Sequence, residues 1–142
     1  MKPLFLTIIA LLFFVKAQSQ EAAKTDSTVV ALKTYLERKT RPSAPAVEDR
    51  IQGTVVIGFK IDDNKNIADL HIVKSFTKDC DGVVLDVMGR YRQPLSLPAA
   101  EYTLGVHFLI EGGRRKITTV PFDKSIYQNY LFDVDIKSIV HN

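Results

Sequence analysis

From Gly53 onward the apolar positions repeat every second residue. Val55, Ile57, Phe59 and Ile61 fall on one side, and Thr54, Gly58 and Lys60 on the other. Successive side chains of a strand point to opposite faces, so this pattern predicts a half-buried strand. Asp62-Asp63-Asn64-Lys65-Asn66 follows as a polar turn, with Asn residues suited to the left-handed conformation. Ala68, Leu70 and Ile72 carry the apolar face back against Asp69 and His71, which predicts an antiparallel hairpin.

The period lengthens after the hairpin. Cys80, Val84, Val87, Met88 and Tyr91 mark one face of a helix running to about Tyr91, with Asp79 or Asp81 as its cap. Gly82 and Gly89 weaken that helix by about 1 kcal/mol each relative to Ala, so packing must hold it. Pro94 and Pro98 break the chain. A third strand then alternates Tyr102, Leu104, Val106 and Phe108 against Thr103, Gly105 and His107, and Gly112-Gly113 ends it. Upstream, Val29, Leu32 and Leu36 give a narrow stripe on a helix over about Thr28 to Lys39, capped by Asp26 or Ser27 and stopped before Pro42 and Pro45. Downstream, Lys116 to Val120 fits a short strand and Asp123 to Tyr130 one or two helical turns. Leu131 to Val140 alternates again, with Phe132, Val134, Ile136 and Val140 on one face.

These elements describe an α+β fold: a three-stranded antiparallel sheet in the order β-β-α-β with one packed helix, an N-terminal helix, and a C-terminal extension able to add a strand. The expected organisation is a signal peptide over 1–17, a polar segment and helix over 18–41, a core domain over 42–112 and an extension over 113–142. The signal reading rests on Lys2, the apolar run Leu4 to Val15, and Val15-Lys16-Ala17 as a cleavage site before Gln18. That run is short of the roughly 20 apolar residues of a membrane span. Export to the periplasm is therefore expected. The alternative is an inner-membrane anchor facing the periplasm, with membrane contact only if residues 1–17 stay attached.

Charge narrows the partners. The formal net charge of +3 includes Lys2 and Lys16, and without them the chain carries +1. A near-neutral chain offers no electrostatic footprint for nucleic acid, and Gly112-Gly113-Arg114-Arg115-Lys116 is too short and lacks interleaved aromatics. The single Cys, Cys80, excludes an internal disulfide and is expected to face the sheet, where a thiol is inert. No metal or cofactor is expected. His71, His107 and His141 lack ligand spacing, and Asp62-x-Asn64-x-Asn66 lacks the Gly and the Glu of a calcium loop, with Ile67 and Val73 in their places. A Cys80–His nucleophile has no accompanying Gly-rich elbow, so the chain is not expected to be an enzyme.

In that order the residues resemble the C-terminal domain of TonB-type energy transducers. The likeness is carried by Arg50-Ile51-Gln52-Gly53, the Val55-x-Ile57-x-Phe59-x-Ile61-Asp62 strand, Ile67 with Val73-Lys74-Ser75, Asp79-Cys80-Asp81, and Tyr102-Thr103-Leu104. It spans roughly residues 42 to 110. Departures include Arg41-Pro42 for the usual Tyr-Pro, Asn64 to Asn66 for the turn Gly, and Gly105 for the Pro after Leu104. The tail beyond Gly113 is outside the family pattern.

The resemblance implies capture of an extended peptide by strand addition at a sheet edge. By that implication the partner-binding residues are Arg50, Ile51, Gln52 and Gly53, with Tyr102, Thr103, Leu104, Gly105, Val106, His107 and Phe108 as the edge. The partner would be an outer-membrane TonB-dependent transporter or another envelope protein, in transmembrane transport, and a homodimer by edge pairing is compatible with the same physics. The alternative is an exported envelope interaction protein with the same fold and no transport role. Two outcomes stay open for the edge: exposed to a partner, or covered by Leu131 to Val140. A pulling role in energy transduction is not expected, because residues 18 to 52 extend at most about 3.5 Å each.

Overall fold

A computed structural model describes residues 26–141. The expected signal peptide, 1–17, lies outside the described residues. Helix α1 (Ser27–Lys39) and the short helix α2 (Ala44–Glu48) lead into strand β1 (Ile51–Ile61). Strand β2 (Ile67–Lys74), helix α3 (Lys78–Gly89) and strand β3 (Glu101–Glu111) complete the β-β-α-β order. The extension adds strand β4 (Thr118–Thr119), a 3-10 turn (Lys124–Ile126) and strand β5 (Tyr130–Ile139). No described helix is long and apolar enough to cross a membrane.

The class is α+β as expected, but the sheet is mixed and has five strands rather than three. Its main path runs β2-β1-β3-β5, with β4 paired to β1. β1 pairs antiparallel with β2 and β3, while β4 on β1 and β5 on β3 are both parallel. One face carries the core. Val55, Ile57, Phe59, Leu104, Val106 and Val134 are fully or almost fully buried there, against Val29, Leu32 and Leu36 of α1 and Cys80, Val84 and Met88 of α3. Leu95 and Leu97, in the loop after α3, seal the end near the hairpin. Leu95 N–H donates to the Lys65 carbonyl at 2.8 Å, and Lys65 Nζ to the Leu97 carbonyl at 2.9 Å.

Several boundaries differ from expectation for identifiable reasons. The α1 cap does not: it is Asp26, one of the two expected residues, accepting from Thr28 N–H at 2.8 Å. Thr77, not Asp79 or Asp81, caps α3, accepting from Cys80 N–H at 3.1 Å. This frees Asp81 to hold Phe76 N–H at 3.0 Å, while Asp79 and Asp81 still complement the helix dipole. Pro45 starts α2, because its missing N–H costs nothing in a first helical turn. In the hairpin turn Lys65, at φ 67°, takes the left-handed position expected of an Asn. The Asp62 carboxylate holds Asn64 N–H at 2.9 Å and Asn66 N–H at 2.8 Å, which leaves Lys65 as the residue that must turn.

Candidate functional site

Both segments expected to meet a partner are paired within the chain itself. Arg50 has φ 54° and is buried; its Nη2 donates to the carbonyls of Gly112 at 2.6 Å and Arg115 at 3.3 Å. Ile51 and Gln52 lie beside Thr118 and Thr119. Thr118 N–H donates to the Arg50 carbonyl at 2.9 Å, and Val120 N–H to that of Gln52 at 3.0 Å. Gln52 also spans two strands, giving Nε2 to Thr119 Oγ1 and accepting from Ile110 N–H. Gly53 lies against the Phe76 ring, where a Cβ would come within 2.6 Å.

The expected open edge, Tyr102 to Phe108, is likewise enclosed. β1 flanks β3 on one side from Glu101 to Phe108, and β5 flanks it on the other from Thr103 to Glu111. Of the two outcomes left open by the sequence, the covered edge is the one observed. Its driving force is apolar: Leu131, Val134 and Ile136 of β5 are 4%, 0% and 5% exposed. Burying such side chains is worth about 1.5–3 kcal/mol each, as an upper bound.

The two ends of the main sheet path lie elsewhere. β2 and β5 each have a strand neighbour on one side only along the main path. β2 is a guarded edge: Asp69 has φ 50°, and its pairing with β1 slips between Val56 and Ile57 and again between Gly58 and Lys60. β5 is irregular only near its start. From Asp133 to Ile139 its register against β3 is unbroken, ending with Ile139 exposed.

The irregular start of β5 builds a polar cluster on the sheet face opposite the core. Thr103 pairs with Tyr130 and Gly105 with Asp133, so one extra residue is inserted. The bulge turns Leu131 into the core, where alternation had placed Phe132, and leaves Tyr130 beside Asp133 on the outer face. Tyr130 O–H donates to Asp133 Oδ1 at 2.5 Å. His107 Nε2 lies 2.8 Å from the same oxygen, and His107 Nδ1 lies 2.5 Å from Thr54 Oγ1. Lys124 Nζ reaches Asp133 Oδ2 at 3.3 Å. Burial by itself would raise the Asp133 carboxyl, but the bonds from Tyr130, His107 and Lys124 outweigh it and hold it below its usual value. Burial, reinforced by Asp133, pushes the Tyr130 phenol well above its ordinary value.

Hydroxyl, imidazole and carboxylate in a row are the parts of a nucleophilic triad. Here the Thr54 hydroxyl is buried, with Thr54 only 3% exposed. Phe122 covers His107 edge-on at 5.3 Å and joins Tyr127 and Tyr130 in an aromatic cluster. The arrangement acts as a brace that ties β1, β3, β5 and the 3-10 turn together. The position of His107 on the polar side of its strand carries no sign of this contact. Asp133 lies 26 residues from His107, and only the bulged β3–β5 pairing brings the two side chains together.

Beside the brace, a cleft of about 250 Å³ lies between the outer face and the 3-10 turn, lined by Gly58, His71, Val73, Thr103, Ile126 and Tyr127 among others. Among the described residues no three His, Cys, Asp or Glu side chains converge as metal ligands. Cys80 is buried, 3.3 Å from Ser43 Oγ. Comparison with protein-family models, curated proteins and solved structures returns no match to this chain.

Proposed function

We propose that this chain is an exported, TonB C-terminal-like protein-binding module of the cell envelope that takes extended peptides by strand addition. The edge it uses is the outer side of β5. The observation that carries this reading is the run Asp133–Ile139, regular in register and without a second strand neighbour on the main sheet path. Such an edge presents unpaired N–H and C=O groups, which supply affinity, while alternate side chains supply selectivity. The peptide belongs to an outer-membrane TonB-dependent transporter or another envelope protein. No nucleic acid, cofactor or chemical step enters this role.

A second reading is favoured by the self-pairing of Arg50–Gln52 and Thr103–Phe108. It is an envelope interaction protein of the same fold with no part in transport. Titrating the 15N-labelled protein with a TonB-box peptide, and in parallel with a scrambled one, separates the two. Amide shifts at residues 130–139 with the TonB-box peptide alone support the transport reading. Equal shifts with both peptides favour the second, and no shift at millimolar peptide overturns strand addition at β5.

A further inference from the structure

We infer that, in the absence of such a peptide, the β5 edge is closed by a second copy of this chain: β5 pairs antiparallel with its twin about a two-fold axis at Ile136. This inference rests on the reading of β5 as a strand-accepting edge and names the strand that fills it.

Two observations select a self-complementary occupant. The first is the contrast between the edges. Natural sheets guard exposed edges with bulges, twists and inward charges, and β2 has such devices at Asp69 and its two register slips. The Asp133–Ile139 stretch has no bulge and no left-handed residue, and it ends in Ile139, 67% exposed. Its exposed charges, Asp135 and Lys137, repel most strands but are of opposite sign, so they admit a strand that carries the complementary order.

The second is the order of charges along the edge. A two-fold axis perpendicular to the sheet sets residues of the same face opposite each other, so the axis must pass at a residue. Asp133, Asp135 and Lys137 share the outer face with Gly105, His107 and Leu109, their partners on β3. An axis at Val134 sets Asp133 against Asp135, and one at Asp135 sets that residue against itself. An axis at Lys137 opposes two lysines. Like charges directly opposite destabilise a strand pair, and opposite charges stabilise it.

With the axis at Ile136, Asp135 faces Lys137 of the second copy, and the symmetric pair repeats the contact. Val134 then faces Ser138, and Asp133 faces Ile139. Only this register among the four avoids every like-charge pair. Both side chains are exposed at this edge. Asp135 has no ion-pair partner among the described residues and is exposed, and the Lys137 side chain is 56% exposed although it also reaches Glu111 at 2.9 Å. The two four-stranded paths would join into one continuous sheet, and the closed symmetry leaves no further β5 edge to propagate a fibre.

Sedimentation equilibrium on four proteins tests this: wild type, Asp135→Lys, Lys137→Asp, and the double exchange, each checked for unchanged circular dichroism. The wild type is expected to dimerise reversibly. Each single exchange is expected to weaken association at least about tenfold, and the double exchange to recover most of the loss. A wild type that stays monomeric at about millimolar concentration, or a double exchange no better than the singles, overturns the inference. A monomer whose 130–139 amides still shift with peptide fails this inference alone. A monomer that also ignores peptide fails the strand-addition reading with it.

Discussion

His107 and Asp133 join the central strand of the sheet to the C-terminal strand: Nε2 of the imidazole sits 2.8 Å from Oδ1 of the carboxylate. Tyr130 and Lys124 bond to the same carboxylate, so one side chain gathers three partners. Asp133→Ala leaves a half-buried imidazole and phenol without their acceptor. The expected cost is about 1–3 kcal/mol in urea unfolding at neutral pH. Faster amide exchange in β5 than in β1 would accompany it.

The same carboxyl predicts an acid limit. Its folded pKa is lowered from the ordinary value of 3.8, so its contribution is present above that value and lost as pH falls through the folded one. Wild-type stability is expected to drop below about pH 4 more steeply than that of Asp133→Asn. Urea midpoints measured from pH 6 to pH 2.5 give the two slopes, and parallel slopes would refute the assignment.

Tyr130 predicts the opposite limb. Its phenol is raised above the ordinary value of 10.0, chiefly by burial, so its contribution is present below pH 10 and lost as pH rises beyond. Tyr130→Phe is expected to be about 1 kcal/mol less stable at pH 8 and to lose less on going to pH 11. Tyr91 and Tyr102 are raised by burial too, so some alkaline loss remains in the variant.

Gly105 leaves room for the phenol. A Cβ at this position would lie 1.9 Å from Tyr130 Oη, so Gly105→Ala must push the ring off Asp133. The expected cost is about 1–3 kcal/mol. In the double variant with Tyr130→Phe the cost shrinks, a coupling that a thermodynamic cycle measures.

Arg50 fastens the loop after β3. Its guanidinium bonds Gly112 and Arg115 carbonyls, while its Nε is buried without a partner. Arg50→Ala is expected to release residues 112–120, seen as faster tryptic cleavage after Arg114, Arg115 and Lys116, with cleavage in β1 unchanged. Equal cleavage of both proteins at that loop would remove Arg50 from this role.

The apolar alternation from Val55 to Ile61 and from Tyr102 to Phe108 was legible because one face of each strand packs on the core while the other carries Thr, Gly, Lys and His, although Gly53 to Phe59 proves buried on both faces rather than half-buried. Helices α1 and α3 were legible through stripes at Leu32 and Leu36 and at Val84, Val87 and Met88. The pairing of the extension was legible only as one of two outcomes for the β3 edge, because parallel neighbours leave no hairpin signal and β4 has only two residues. A single inserted residue buries Leu131 in the core while Phe132 packs only partly against it, which composition does not record. Arg50 was placed near a partner only by the family resemblance; its partners are main-chain carbonyls, which no residue type announces.

The parallel placement of β5 has a consequence for biosynthesis. Strand β3 leaves the ribosome well before the strand that covers it, and the core positions of Leu131, Val134 and Ile136 stay vacant until then. Until Ile139 has emerged, Tyr102 to Glu111 is an exposed strand with a free flank, the form most prone to pair with a neighbour's chain. The nascent protein is therefore at greatest risk of mispairing while residues 112–139 are being made, when a chaperone holding β3 would do the most good.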